Sequence, residues 1–281
     1  MPKNVVLLDG GMGQELLKRS AQAPHPMWSA KVLMDEPDIV EAVHMDYINA
    51  GANVITLNAY SATPERLARD SGQPEKADEL FEILQQRAIE LAHSARSKSK
   101  AAHDVRIAGS IPPLNGSYKP EHAPKPEVML ETYRRVVALQ RDAVDVLMCE
   151  TMSGIGEAVA ATTAALESGL PVWLAFSLSD KLDAGEPRLR SGEPLSDALA
   201  AVFKLDIDAL MLNCSVPEAI SAALPTLLSA NGLAGAYANG FTGISALELG
   251  GTVDGLQARE DLGPEAYAQV AMEWVSQGVR I

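Results

Sequence analysis

Short apolar runs alternate with amphipathic or alanine-rich stretches along almost the whole chain. Eight of these runs have the length of a strand, and several lack polar alternation, which is typical of parallel strands covered on both faces. The predicted strands are residues 5–9, 54–58, 105–110, 144–150, 172–177, 207–214, 233–239 and 278–281. Seven predicted helices lie between them, at residues 38–50, 75–96, 126–140, 155–168, 194–203, 217–229 and 264–277.

The number and order of these elements predict the fold class. Eight strands that alternate with helices indicate an α/β protein with a (β/α)8 TIM barrel more than an open doubly wound sheet. We expect a single domain over residues 1–281, with long loops at residues 185–192 and 240–263 above the barrel. Because the eighth predicted strand runs into Ile281, we expect the natural chain to continue past this residue into a final covering helix.

Composition limits the classes of partner. The chain has 281 residues, of which 47% are hydrophobic, and this is enough for a large buried core. Its 23 basic and 37 acidic residues give a net charge of −14 without a basic cluster, so nucleic acids and anionic membranes are poor partners. No apolar run reaches the length of a membrane span, and the N-terminus lacks the layout of a signal peptide. The two cysteines predict no disulfide framework, which fits a reducing cytoplasm.

Polar residues stand at the ends of most predicted strands, and a barrel would bring these ends together at one face. Asp9 and Glu150 follow strongly apolar runs, and buried carboxylates are rare without a partner. Two carboxylates can act as a general acid and base, or they can hold a cationic amine; the residues alone leave both roles open. Gly10 follows Asp9 directly, and the other polar strand ends are Asn58, Ser110, Ser177, Cys214 and Asn239.

Cys214 ends the sixth predicted strand, just before a helix that opens with Pro217. A lone cysteine is more often a small buried hydrophobe, but the convergence of polar strand ends favours a chemical role for Cys214. Cys149 directly precedes Glu150, so strand alternation turns it to the opposite side, and we assign it no function. The histidines have no metal-ligand spacing, and the glycine-rich turn after Asp9 lacks the third glycine of a dinucleotide fingerprint.

Several short motifs follow one another across nearly the whole chain. They are Leu8-Asp9-Gly10-Gly11-Met12-Gly13, Trp28-Ser29, His44-x-x-Tyr47-x-x-Ala50-Gly51-Ala52, Ala108-Gly109-Ser110, Glu150-Thr151, Asn213-Cys214 and Tyr237-Ala238-Asn239. Each motif is short, but the ordered set is specific. The set resembles the homocysteine S-methyltransferase family, which includes betaine- and S-methylmethionine-dependent enzymes.

The resemblance implies a (β/α)8 barrel that carries zinc on three cysteine thiolates. Cys214 matches the first of these thiolates, and the other two would be an adjacent cysteine pair that we expect beyond Ile281. The resemblance also implies that Asp9 and Glu150 hold the amino group of homocysteine. Gly10, Ser110 and Asn239 match further motif positions and complete the predicted substrate-binding set.

The chemistry of methyl transfer suits these residue types. Zinc deprotonates a bound thiol, and three protein ligands leave a fourth position for the sulfur of the substrate. The methyl donor must carry a good leaving group, so it is a sulfonium or a quaternary ammonium. Aromatic faces can hold an onium methyl group, and the candidates near the predicted loops are Trp28, Tyr60, Tyr118 and Phe241.

The leading hypothesis is therefore a zinc-dependent transfer of a methyl group to the thiolate of L-homocysteine, which gives methionine. S-methylmethionine is the favoured donor because residues 111–118 resemble the bacterial S-methylmethionine branch, while betaine and S-adenosylmethionine stay open. The alternatives are a metal-independent lyase or aldolase that uses Asp9 and Glu150 as acid and base, and a non-catalytic barrel that binds an amino acid. All three hypotheses imply small-molecule ligands.

Overall fold

A computed structural model describes residues 4–101, 103–181, 185–230, 232–244 and 247–281. Within them, six strands form one curled parallel sheet in sequence order, and each strand pairs with the next along the chain. Consecutive parallel pairing places the carboxyl ends of all six strands at the same edge of the sheet. The strands are β1 (Val54–Thr56), β2 (Arg106–Ile111), β3 (Val146–Met152), β4 (Val172–Ser177), β5 (Ala209–Asn213) and β6 (Leu233–Tyr237).

Helices precede, separate and follow these strands. The seven predicted helices are confirmed, and each observed end lies within two residues of the predicted one. Three further helices, at Met12–Arg19, Ser29–Asp35 and Pro64–Asp70, have only seven or eight residues, too few for a clear helical period in the sequence. The α-helices are α1 (Met12–Arg19), α2 (Ser29–Asp35), α3 (Pro37–Asn49), α4 (Pro64–Asp70), α5 (Ala77–Lys98), α6 (Pro126–Gln140), α7 (Ile155–Leu166), α8 (Leu195–Val202), α9 (Pro217–Leu228) and α10 (Pro264–Gln277).

None of the helices in the described part of the chain combines the length and the apolar composition that a bilayer span requires. The long segment 240–263 contains neither helix nor ladder strand where it is described, apart from one antiparallel bridge between Phe241 and Ala258. Residues 245 and 246 of this predicted loop lie outside the described residues.

The first and eighth predicted strands lie along the two edges of the six-stranded sheet. Leu8 forms one parallel bridge to β1, and the carbonyl oxygen of Ile281 accepts a hydrogen bond from the backbone N–H of Ala236 in β6 at 2.9 Å. The N–H of Val6 donates to the carbonyl oxygen of Arg280 at 2.8 Å. The parallel α/β part of the predicted fold is confirmed, but the sheet itself has six strands and not the eight of a full barrel.

Strand alternation divides the buried residues into an inner cluster and an outer one. Met148 faces the inside of the curled sheet, Cys149 packs among the helices, and Glu150 again faces inwards, as the alternation of β3 predicts. The outer cluster is larger because all the covering helices contribute to it. The inner cluster consists of Val54, Ala108, Val146, Met148, Trp173, Ala175, Ala209, Met211 and Ile281.

Trp173 is the largest side chain of the inner cluster, and the Arg106 guanidinium lies 5.1 Å from its ring centre. Because Trp173 is only 3% exposed, Trp173→Ala leaves a cavity inside the curled sheet. We expect a loss of about 3–5 kcal/mol in the free energy of unfolding. Urea unfolding followed by circular dichroism measures this free energy of unfolding.

The control is Phe203→Ala, because Phe203 is 71% exposed at the end of α8. It should change the free energy of unfolding by less than about 0.5 kcal/mol. Equal losses in the two variants would contradict the inner packing described for Trp173.

Candidate active site

A cavity of ≈ 730 Å³ opens at the carboxyl edge of the sheet. Five of the six predicted site residues line it, although they come from distant parts of the chain. The sixth, Ser110, is fully buried behind the wall, where it contacts one of the lining carboxyls. The five lining residues are Asp9, Gly10, Glu150, Cys214 and Asn239.

The Asp9 carboxyl is fixed by the neighbouring strand β1. One carboxyl oxygen accepts the backbone N–H of Thr56 at 2.7 Å, and the other accepts the Thr56 hydroxyl at 3.2 Å. Burial raises the pKa of Asp9 to about 7, although these hydrogen bonds lower it, and the nearby Glu150 raises it further.

Gly10 follows Asp9, and its backbone lies against Tyr47, where a Cβ atom would lie 2.7 Å from a ring carbon. A side chain at position 10 would therefore displace that ring.

The Glu150 carboxyl accepts a hydrogen bond of 2.6 Å from the Ser110 hydroxyl. Burial raises the pKa of Glu150 to about 7, while this bond and the charge of Arg66 act in the opposite direction. Two carboxyls with raised pKa values thus line one cavity. A cation bound between Asp9 and Glu150 would favour the ionised form of both.

Cys214 lies at the tip after β5 in a left-handed backbone conformation, with φ +49°. Its Sγ accepts hydrogen bonds from the Thr151 hydroxyl and from the Asn213 side-chain amide, both at 3.4 Å. Burial raises the pKa of the thiol to about 11, and the Thr151 hydroxyl partly opposes this. Without a cation beside it, the thiol is therefore neutral near pH 7.

Backbone strain is concentrated at this site. In the described parts of the chain, four non-glycine residues have positive φ: Trp28 at 47°, Tyr118 at 65°, Thr151 at 62° and Cys214 at 49°. Three of them line the cavity, and the fourth, Thr151, bonds the Cys214 sulfur. Such a conformation costs on the order of 1–3 kcal/mol per residue and persists where the surrounding packing enforces it. None of the four is an asparagine, aspartate or histidine, the non-glycine residue types in which a positive φ is most common, so the sequence did not predict this conformation.

Arg190 ties the loop at residues 185–192 to the Cys214 tip. Its guanidinium donates to the Cys214 carbonyl oxygen at 2.9 Å and pairs with Asp180 at 3.0 Å. It also lies 4.7 Å from the centre of the Tyr118 ring. The sequence alone predicts no role for Arg190, because a single arginine in a loop carries no signal of its partners.

A comparison with known protein families matches almost the whole chain. The profile of the family described as homocysteine S-methyltransferase matches residues 6–281. The chain belongs to the homocysteine S-methyltransferase family. The family resemblance seen in the motifs is thereby confirmed, and the protein is an enzyme of the methyltransferase class.

Two relatives and one crystal structure illustrate the similarity. The homocysteine S-methyltransferase of Escherichia coli (strain K12) is 32% identical over 240 residues, which cover 80% of this chain and 74% of that protein. Homocysteine S-methyltransferase YbgG of Bacillus subtilis (strain 168) is 30% identical, over 75% of this chain and 69% of that protein. The metallated form of the homocysteine methyltransferase MmuM from Escherichia coli has a TM-score of 0.78 and 26% identity, with 99% of this chain and 90% of that chain covered.

Several aromatic side chains contribute to the wall of the cavity. The Trp28 and Tyr60 rings meet edge to face, with centres 6.0 Å apart and planes at 85°. Gly13 permits this position of Trp28, because a Cβ atom there would lie 2.1 Å from the indole. The four aromatic candidates from the sequence all line the cavity: Trp28, Tyr60, Tyr118 and Phe241.

The described residues supply one thiol for a metal at this site. They contain no group of three His, Cys, Asp or Glu side chains arranged to hold a metal ion. Cys149, the other cysteine, is fully buried on the helix side of β3, and burial raises the pKa of its thiol to about 12. Cys214 is thus suited to be one ligand of a metal ion, and the described residues do not supply a complete set of metal ligands around it.

Glu150→Gln should stabilise the ligand-free protein above pH 7. The folded-state pKa of Glu150 is about 7 against an ordinary 4.5, so its ionisation opposes folding once the pH exceeds 4.5. Glutamine removes this charge and retains an oxygen for the Ser110 hydroxyl. We expect a gain on the order of 1–3 kcal/mol in the free energy of unfolding at pH 8, which shrinks as the pH falls towards 4.5.

Glu218→Gln is the matched control for this measurement. The Arg259 guanidinium donates to Glu218 at 2.8 Å and lowers the pKa of that carboxyl. The control should therefore lose stability at pH 8, where Glu150→Gln gains it. A loss at pH 8 in Glu150→Gln would show that its carboxylate stabilises the fold.

Proposed function

We propose that this enzyme transfers a methyl group from an onium donor to the sulfur of L-homocysteine and produces methionine. The observation that supports it is the meeting of Asp9, Glu150 and Cys214 around one cavity in a chain of this family. A new sulfur–carbon bond forms as the bond between the donor and its methyl breaks. The donor leaves with the electron pair, and the proton of the homocysteine thiol is released.

Asp9 and Glu150 are proposed to hold the homocysteine ammonium group. Thr56 anchors the Asp9 carboxyl, and Ser110 anchors the Glu150 carboxyl. Both carboxyl groups are therefore held in position before the ligand binds. A charge-assisted hydrogen bond of this kind is worth about 1.5–3 kcal/mol. Gly10 and Asn239 complete the proposed substrate wall.

The aromatic wall is proposed to hold the donor. The faces of Trp28, Tyr60 and Tyr118 attract a methylated cation because the ring centre is electron-rich. We propose S-methylmethionine as the donor, because residues 111–118 resemble the bacterial S-methylmethionine branch of the family. The end of this segment, Ser117 and Tyr118, lines the cavity, which puts it within reach of a donor.

We further propose that Cys214 binds zinc. The metallated crystal form of the Escherichia coli relative supports a metal in this family. When bound, zinc would keep sulfur ligands deprotonated. The described residues offer one thiolate, that of Cys214, for such a metal.

The sheet edges support a proposal that the full fold is a closed (β/α)8 barrel. The hydrogen bond from Val6 to Arg280 joins the two segments that flank the six-stranded sheet, and Ile281 packs into the inner cluster. The single domain over residues 1–281 and the cytoplasmic location also stay predictions. The family match favours methyl transfer over the lyase and over a non-catalytic binding protein.

The activity is tested by incubating the protein with homocysteine and each donor separately: S-methylmethionine, betaine and S-adenosylmethionine. Homocysteine with a deuterated carbon chain separates labelled methionine made from homocysteine from unlabelled methionine released by the donor. We expect labelled methionine with S-methylmethionine at the highest rate. Betaine as the one productive donor would overturn the donor assignment, and homocysteine binding without turnover on any donor would favour the non-catalytic alternative.

The metal is tested with Cys214→Ala and Cys149→Ala. We expect zinc to copurify with the unmodified protein and to be lost in Cys214→Ala, because a ligand is removed. Cys149→Ala should retain it, since that thiol is on the helix side. Metal analysis by mass spectrometry measures the zinc content. Equal zinc in both variants, or none in the unmodified protein, would contradict the proposal.

A further inference from the structure

Arg66 is a buried cation that the methyl-transfer proposal does not use. It lies in the first turn of α4, is 9% exposed, and contributes to the cavity wall. A positive charge is unfavourable in the first turn of a helix, because the exposed N–H groups there already carry positive partial charge. Burial adds the cost of removing the guanidinium from water.

The hydrogen bonds of Arg66 use only some of the N–H groups of its guanidinium. Nε and Nη2 donate to the carbonyl oxygen of Pro113 at 3.2 and 2.9 Å, and Nη2 also donates to the Ser117 hydroxyl at 3.3 Å. The guanidinium lies 5.2 Å from the centre of the Tyr60 ring. Nη1 has no hydrogen-bond partner among the described residues.

The other cations of the cavity wall differ from Arg66 because each has a carboxylate partner. Lys18 pairs with Glu15 at 3.6 Å, Arg69 with Asp70 at 2.6 Å and Lys119 with Glu248 at 3.9 Å. Within the described parts of the chain, no carboxylate oxygen lies within 4.0 Å of the Arg66 guanidinium. A buried cation without an anionic partner is costly, so an anion entering the cavity would find a favourable position beside it.

Arg66 is also close enough to Glu150 to lower the pKa of that carboxyl. The cavity thus presents two carboxyls that have no salt-bridge partner among the described residues, Asp9 and Glu150, together with a guanidinium that has no carboxylate in direct contact. An α-amino acid carries the complementary pair of charges, an ammonium and a carboxylate. A planar guanidinium with a free N–H edge is well suited to a carboxylate.

We propose that Arg66 binds the α-carboxylate of an amino-acid ligand in this cavity. The proposal rests on the proposed function, in which homocysteine and an amino-acid donor such as S-methylmethionine each bring one α-carboxylate. Arg66 would thereby make the site selective for intact amino acids over the corresponding amines. Its fixed contacts to Pro113 and Ser117 hold the guanidinium in place for this role.

The test compares ligands that differ only in the carboxylate. Calorimetry measures the binding of homocysteine against 3-aminopropane-1-thiol, and of S-methylmethionine against (3-aminopropyl)dimethylsulfonium. We expect the unmodified protein to prefer the carboxylated member of at least one pair by about 10-fold or more. The pair that shows the preference identifies whether the carboxylate belongs to homocysteine or to the donor.

Arg66→Gln should remove this preference, because it weakens the carboxylated ligand and leaves its decarboxylated partner unchanged. Arg66→Lys keeps the charge without the planar fork and should retain an intermediate preference, which preserves the test if the glutamine variant folds poorly. Arg69→Gln is the matched control, since Arg69 lies on the same helix and is already paired with Asp70. It should keep the full preference.

An equal loss of affinity for both members of each pair in Arg66→Gln would overturn the proposal and leave Arg66 a structural role through Pro113. No preference in the unmodified protein would overturn it as well. Either result can occur while homocysteine still binds and is methylated. Failure of the unmodified protein to bind homocysteine or any donor would instead refute the proposed function, and the Arg66 inference with it.

Discussion

Parallel hydrogen bonds between neighbouring strands hold the carboxyl ends of all six strands at one edge of the sheet. Because of this alignment, residues almost the length of the chain apart meet around one cavity. Asp9 enters from the segment beside β1, Glu150 from β3, and Cys214 from the tip after β5. Above that edge, the loop that carries Arg190 is hydrogen-bonded to the Cys214 tip.

Burial sets the electrostatics of the cavity. The carboxyls of Asp9 and Glu150 and the thiol of Cys214 all have raised pKa values, so each resists carrying its negative charge. Arg66 carries a positive charge, and it has no salt-bridge partner among the described residues. The site is therefore polar but incompletely compensated, and a ligand with an ammonium and a carboxylate would supply the missing charges.

Much of the architecture was predictable because it follows from local patterns. Long amphipathic helices such as α6 show the 3.6-residue period over several turns, and their predicted ends match the structure. The alternation along β3 correctly separated Cys149 from Glu150. The short helices α1, α2 and α4 were missed because one or two turns leave little periodic signal. The terminal segments have strand-like sequences, but how far they extend the sheet depends on contacts with its edges.

The sequence by itself determined which polar residues end the strands, since a carboxylate or thiol after an apolar run stands out in the pattern. Asp9, Glu150 and Cys214 were recognisable for that reason. Tertiary structure alone decided the roles of Arg66, Arg190 and Thr151. An arginine reaches its partners through a long side chain whose direction is set by packing, and the left-handed backbone of Thr151 is imposed by its surroundings. Burial and the absence of a charge partner are properties of the folded chain, so no local pattern encodes them.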